Sequence, residues 1–270
     1  MNNPGLWKTI EETERELGGV ISLAARDLQT GETLFYKADR KVQTASVIKL
    51  PMLVHVALAV QEGRLAWEEP LALTEAEKVD GSGILMQLTA GLTLTLRDVC
   101  TLMIVLSDNT ATNMVIERIG IEPINARMRA LGLKETTLFR KAYSPDTPQS
   151  RRYGLGVTTA REMLRLVTLL AEGKIGNAAT SADIVSILAG QHYRDCIPRL
   201  LPADWQYAGK TGAVDHVRND VGLLTAPDGR RFGLAVFCQK IPLVLWTADN
   251  PGMLAIARLA RRLVGLGDEK

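Results

Sequence analysis

The stretch Thr44–Gln61 reads TASVIKLPMLVHVALAVQ. Val47, Ile48, Leu50, Met52, Leu53, Val54, Val56, Leu58 and Val60 leave no polar face on a helix drawn through it. A helix that is apolar on every side is buried at the centre of a fold. Pro51 lies inside it, tolerable near a first turn but a source of local distortion. Ser46 and Lys49 stand near its start in an S-x-x-K pattern. Positions i and i+3 share a helix face, so the Lys49 amine can approach the Ser46 hydroxyl. Burial favours a neutral amine, and a neutral lysine can act as a base toward serine. The helix N-terminus adds positive partial charge where an oxyanion would form. Alone the pattern is weak, since about one is expected by chance in a chain this long. Its bland alternative is a solvated Ser and Lys. In an otherwise apolar helix, however, a buried polar pair needs a reason.

Outward from this helix the periodicity changes. Toward the N-terminus, Val20–Ala25 and Thr33–Tyr36 read as strands joined by the turn signal Gln29-Thr30-Gly31-Glu32, a hairpin. A short surface helix is expected over about Lys8–Leu17. Toward the C-terminus the chain to about residue 190 is helical and punctuated by glycine. Thr95-Leu96-Arg97-Asp98 has the capping-box pattern before an apolar run. Helices are expected from about Thr110 to near Gly120 and over about Thr159–Glu172, with a loop over about Arg140–Gly156. Strand periodicity returns over Trp205–Val214, Asp220–Thr225 and Phe232–Gln239, the last two joined by the turn Ala226-Pro227-Asp228-Gly229-Arg230. An amphipathic helix over about Pro251–Val264 closes the chain. Strands at both ends around a helical middle predict an α+β fold. Its antiparallel sheet comes from the N- and C-terminal segments and is flanked by terminal helices, and an all-helical layer packs against it. Residues 1–42 and 191–270 would form the sheet layer and 43–190 the helical layer, with a site in the groove between.

Two further elements carry chemistry. Ser107-Asp108-Asn109 falls between two predicted helices, where its plain alternative is an Asx-type N-cap. Lys210-Thr211-Gly212 falls in a predicted strand, where the plain alternative is an exposed edge lysine and a glycine bulge. S-x-x-K, S-D-N and K-T-G in this order, on helix start, inter-helix loop and strand, form a known signature. With these motifs, the chain resembles the class A β-lactamase-like serine hydrolases, part of the penicillin-recognising group. The likeness runs from the first hairpin to the final helix. It includes Lys49-Leu50-Pro51, Asp80-Gly81-Ser82-Gly83 and Ser107-Asp108-Asn109-Thr110-Ala111-Thr112-Asn113.

The resemblance implies a role for each matching residue. Ser46 attacks an amide carbonyl and Lys49 takes or relays its proton. Ser107 passes a proton to the leaving nitrogen. Asn109 bonds the substrate's side-chain amide. Lys210 and Thr211 hold the substrate carboxylate, in the K-T-G strand that Gly212 completes. The backbone N–H groups of Ser46 and Ala213 form the oxyanion hole. Arg218 is either a second carboxylate contact or a surface arginine near a turn.

The chain departs from the family pattern in two places. Class A enzymes carry an arginine in the loop after S-D-N and, two residues on, the glutamate that activates the deacylating water. Leu138-Phe139-Arg140 matches the approach, but the position two beyond Arg140 is Ala142. Between Thr136 and Arg161 the only carboxylate is Asp146, which could stand in but reads first as a turn residue. Acylation therefore looks intact while deacylation lacks its obvious general base, a contribution of about 10²–10⁴-fold. Three functions follow in order: a β-lactam hydrolase with weak turnover; a DD-peptidase, penicillin-binding protein or esterase on the same fold; and a non-enzymatic penicillin-binding receptor. The second departure is Leu53, which stands where a disulfide partner for Cys100 would be, so Cys100 is expected to be a free core thiol.

Composition bounds the rest. The chain has 270 residues, 46% hydrophobic and 23% charged, with a formal net charge of +2. No dense basic run suggests nucleic acid, and no apolar stretch reaches membrane-spanning length. The N-terminus lacks the basic-then-apolar pattern of a signal peptide. The resemblance points to a periplasmic or secreted location, so the compartment stays open. Three cysteines without C-x-x-C spacing read as buried thiols. His55 reads as a core residue, His192 is isolated, and His216 falls at the groove's rim with a ligand contact as its alternative. No zinc-ligand spacing occurs, and no metal or cofactor is expected. The expected partner is a small β-lactam or peptide substrate, taken by a monomer.

Overall fold

A computed structural model describes residues 4–267. In chain order, α1 (Pro4–Leu17) is followed by β1 (Val20–Asp27), β2 (Thr33–Tyr36) and the short β3 (Val42–Gln43). A 3-10 turn, Ala45–Ile48, leads into α2 (Lys49–Gln61). Next come β4 (Pro70–Ala72), β5 (Thr93–Thr95), α3 (Leu96–Val105), α4 (Asn109–Ile119), α5 (Ile121–Ala130), β6 (Thr137–Leu138) and α6 (Pro148–Tyr153). The chain ends through β7 (Gly156–Thr158), α7 (Ala160–Ala171), α8 (Ala178–Ala189), β8 (Gln206–Val214), β9 (Val217–Thr225), β10 (Arg231–Gln239) and α9 (Pro251–Leu263).

The main sheet has the order β2-β1-β10-β9-β8, antiparallel throughout. β1 and β10 pair with Leu23 opposite Val236, so the two ends of the chain meet at its centre. The fold is α+β, as the sequence pattern predicts. Each sheet face buries its own core. On one side Phe237, Ala235 and Val221 join α2, α3, α7 and α8. On the other, Ile21, Leu234 and Val236 pack against Ile10 of α1 and Ile256 and Leu259 of α9.

The all-apolar stretch sits where its pattern requires. Every residue of α2 from Lys49 to Ala59 is buried, enclosed by α3, α5 and α8. Its first turn differs from a simple helix start. Ala45–Ile48 is 3-10, and regular α-helix begins only at Lys49. Pro51 has no N–H to give the carbonyl four residues back, so the preceding turn tightens. Other boundaries follow ordinary chemistry. Thr95 and Asp98 form the expected capping box on α3. Asp108 caps α4 by accepting from the Ala111 N–H at 2.8 Å. The loop after Arg140 contains α6, capped by Thr147 with Pro148 at its first position. Cys100, Cys196 and Cys238 are buried free thiols. No described helix is long and apolar enough to cross a membrane.

Leu53 is fully buried at the centre of the larger core. Leu53→Ala should lower unfolding stability by about 2–5 kcal/mol, read as a fall in the urea midpoint at unchanged slope.

Candidate active site

A cleft of about 840 Å³ opens between the helical layer and the β8 edge of the sheet. Ser46, Ser107, Asn109, Thr211, Gly212, Ala213 and Arg218 all line it. Lys49 and Lys210 lie beneath that lining, both fully buried. Residues separated by up to 172 positions, Ser46 to Arg218, are thus brought to one place.

Two strained backbone positions shape the helical wall. Ala45 (φ 44°) and Ser107 (φ 54°) are non-glycine residues in the left-handed region. Such positions persist only where their surroundings hold them, and they gather at functional sites. Ala45 turns the chain so that Ser46 enters the cleft at the head of the 3-10 turn. Ser107 ends α3 so that its carbonyl and hydroxyl both face Lys49. The Lys49 amine donates to Ser107 O at 2.6 Å, Asn109 Oδ1 at 2.9 Å and Ser107 Oγ at 3.3 Å. Burial, and next the charge of Lys210, hold its pKa well below the ordinary lysine value.

Asp108, between these two residues, is structural. Its Oδ2 accepts from the Ile84 and Leu85 N–H groups at 2.7 and 2.9 Å. Asn109 Nδ2 donates to Asp80 O at 3.1 Å. The S-D-N turn is therefore sewn to the Asp80-Gly81-Ser82-Gly83 segment. Gly83 (φ 110°) is required there, since a Cβ would overlap the Asp108 carboxylate.

The sheet wall is β8. A Cβ on Gly212 would lie 2.7 Å from Thr44 O and 3.1 Å from Ser46 N. Glycine alone lets the strand press against the Ser46 turn, bringing the backbones of Ser46 and Ala213 to the same side of the cleft. Lys210 donates to Thr211 O at 2.9 Å, and burial pushes its pKa down to about 7.

Three residues that support the site were given no role from the sequence. Asp220, fully buried on β9, accepts from the Ile197 N–H at 2.9 Å and from the Tyr207 hydroxyl at 2.5 Å. Burial pushes its carboxyl up to about 6, and its charge in turn favours the charged form of Lys210. Asn219 donates to Gln43 O at 2.9 Å and Thr44 O at 3.1 Å, tying β9 to the segment before Ser46. Asn113 holds the backbone of Ala142 from both sides, with bonds of 2.8 and 3.0 Å. The available signal was Arg218-Asn219-Asp220, a polar run beside a strand pattern. All three side chains prove fully buried, and the strand begins three residues earlier than its apolar pattern indicates.

Arg218 is neither a surface arginine nor free in the cleft. Its guanidinium donates to Val214 O (2.6 Å), Val217 O (2.7 Å) and Leu245 O (2.6 Å), and stacks 4.6 Å from the Trp246 ring. Asp146 does not line the cleft. It accepts from Ser150 Oγ at 3.0 Å and pairs with Arg140 at 3.2 Å. The loop wall instead presents Ala142, Tyr143, Gly154 and Leu155. The two carboxylates in the lining, Asp195 and Asp215, come from the segment before β8 and from the β8–β9 turn. His55 is buried with its pKa pushed down to about 4, first by burial and then by Arg127. His216 lines a separate groove, not this cleft.

A serine at the head of a buried helix, a desolvated lysine three residues on and a facing K-T-G strand define a serine acyl-enzyme hydrolase of the β-lactamase type. A family model described as the beta-lactamase enzyme family matches residues 5–266, and the chain belongs to that family. It is similar to β-lactamase AER-1 of Aeromonas hydrophila, 26% identical over 259 residues that cover 94% of this chain and 83% of that one. It is also similar to β-lactamase SME-1 of Serratia marcescens, 28% identical over 211 residues, 76% of this chain and 70% of that one. Among solved structures, a β-lactamase from Sphaerobacter thermophilus superposes with a TM-score of 0.88 at 29% identity, covering 99% of this chain and 100% of that one. A mutant of PBP-A, solved as an acyl-enzyme complex with penicillin G, gives 0.85 at 26% identity, covering 96% and 94%.

Asp220 stabilises the charged form of Lys210, so removing its charge should lower the Lys210 pKa further. NMR titration of the lysine side-chain resonances should show Lys210 losing its proton at lower pH in Asp220→Asn than in the parent. An unmoved titration would separate the two groups.

Proposed function

We propose that the protein forms an acyl-enzyme at Ser46 with β-lactams and releases it slowly. The observation that carries this reading is an asymmetry. The groups suited to acylation are assembled, whereas the loop wall contributes Ala142 and no carboxylate.

Lys49, its pKa held down by burial, takes the Ser46 proton as Oγ attacks the lactam carbonyl. The N–H groups of Ser46 and Ala213 stabilise the oxyanion. Ser107, 3.3 Å from the Lys49 amine, passes a proton to the leaving nitrogen. Asn109 bonds the acyl side-chain amide. Lys210 and Thr211 hold the substrate carboxylate, with Asp220 keeping Lys210 charged over a wider pH range. Arg218 acts on that carboxylate indirectly, by holding the Leu245–Trp246 segment at the cleft's edge. Hydrolysis of the acyl-enzyme needs water activated from the loop side. There Asn113 fixes the backbone of Ala142 where a carboxylate would serve, and Asp146 is turned toward Arg140.

The same asymmetry supports a second reading, a DD-peptidase or penicillin-binding protein in which the acyl-enzyme serves a peptide. The resemblance to PBP-A, at 26% identity, is consistent with that alternative.

Intact-protein mass spectrometry after mixing with benzylpenicillin should show a persistent adduct that Ser46→Ala lacks. Its absence in the parent would rule out penicillin acylation. Ala142→Glu should shorten the adduct's lifetime by about 10²-fold or more. An adduct that turns over rapidly in the parent would instead mean that another group activates the water.

A further inference from the structure

A second concavity, about 610 Å³, lies beside the cleft, with Gln43 in the walls of both. Arg40 and Lys41 come from the segment before β3, Arg152 and Tyr153 from the end of α6, His216 from the β8–β9 turn, and Lys240 from the end of β10. No Asp or Glu lines it. Of its four permanent cations only Lys41 has an ion-pair partner among the described residues, Glu135 at the surface. The chain as a whole balances 32 basic with 30 acidic residues, and most other described arginines have a carboxylate or a carbonyl in reach. Here like charges from three separate segments converge on one groove, and they repel one another unless an anion sits among them.

The groove is shaped as well as charged. Lys240 is held in the left-handed region at φ 57°, a conformation costly for lysine, which turns the chain sharply at the end of β10. Tyr153 supplies a flat wall, with the Arg152 guanidinium 5.0 Å from its ring centre. Between groove and cleft, Gln239 donates to Gln43 O at 3.3 Å and to Asn219 Oδ1 at 2.9 Å. Gly154 (φ 62°) packs so closely on Gln43 that a Cβ there would overlap its amide. Arg152 thus belongs to the loop whose other residues, Ala142 and Tyr143, wall the cleft.

We propose that this groove is a second binding site, for a small multivalent anion carrying two or more carboxylate or phosphate groups. Arg152 and Arg40 offer forked donors to such oxygens, and Lys240 and Lys41 act as point charges. The site stands apart from the acyl-transfer reading, because it uses none of the residues proposed for that chemistry.

Isothermal titration at low ionic strength, with citrate in one arm and inorganic pyrophosphate in the other, tests it on the full chain. Saturable 1:1 binding is expected in at least one arm, weakened on the order of tenfold or more in R152E/K240E. Citrate alone would identify a carboxylate site, pyrophosphate alone a phosphate site, and both a site that reads charge. Ser46→Ala should bind the probe like the parent, so failure of the acylation reading leaves this result intact. R152E/K240E should acylate with benzylpenicillin at the parent rate when no probe is present. If the charge-reversed chain does not fold, R152Q/K240Q replaces it, with circular dichroism as the check. Binding by neither probe, or undiminished binding by the folded double variant, overturns the proposal.

Discussion

The structure turns on one ammonium group taken out of water. Lys49 opens a helix that is buried along most of its length, and its amine is surrounded by protein. A buried charge without partners is strongly unfavourable, and a buried neutral amine still needs hydrogen bonds. The Ser107 carbonyl and hydroxyl and the Asn109 side chain meet that need. They can do so only because Ser107 adopts a left-handed conformation and Asp108 anchors the turn to the Ile84–Leu85 backbone. The chain between α3 and α4 is thus shaped by what the amine requires.

The sheet answers with a second buried lysine. The charge of Lys210 lowers the preference of Lys49 for its charged form, while burial lowers that of Lys210 itself and Asp220 offsets this from β9. Asp220 is itself buried, and its bonds from Tyr207 and Ile197 make its charge tolerable. Two buried amines with different neighbours stand in one cleft, and in the proposed reaction one receives a proton and the other holds an anion. That division would follow from their neighbours, since both residues are lysine and both are fully buried.

The loop after β6 shows the opposite economy of polar groups. Its backbone is held as firmly as a catalytic segment, by both polar atoms of Asn113, yet it presents a methyl group to the cleft. Arg140 and Asp146 pair within the loop, and Gly154 seats its far end on Gln43. The loop's rigidity therefore does not depend on a carboxylate at position 142.

Much of this was legible from residue order. The largely apolar run Thr44–Gln61, with no polar face, identified the central helix, because no other burial suits it. Period-two segments at both ends marked the sheet, and the three short motifs marked the cleft. Three features lay beyond such reading. The 3-10 start at Ala45–Ile48 goes with Pro51 in the helix that follows and with Gly212 of β8, whose lack of a Cβ lets the strand close on the Ser46 turn. Arg218 and Asn219 fall outside the strand expected from Asp220, because strand periodicity detects apolar side chains; only the packed sheet supplies the carbonyls that let them be buried, and the hydroxyl that does so for Asp220. Asp146 reads first as a turn residue that could stand in as a base, and only the loop's path shows it paired with Arg140. Local sequence determined which segments must be buried and which residues could react. Tertiary structure decided which polar groups found partners, because a hydrogen bond between residues 49 and 107 has no signature in either segment alone.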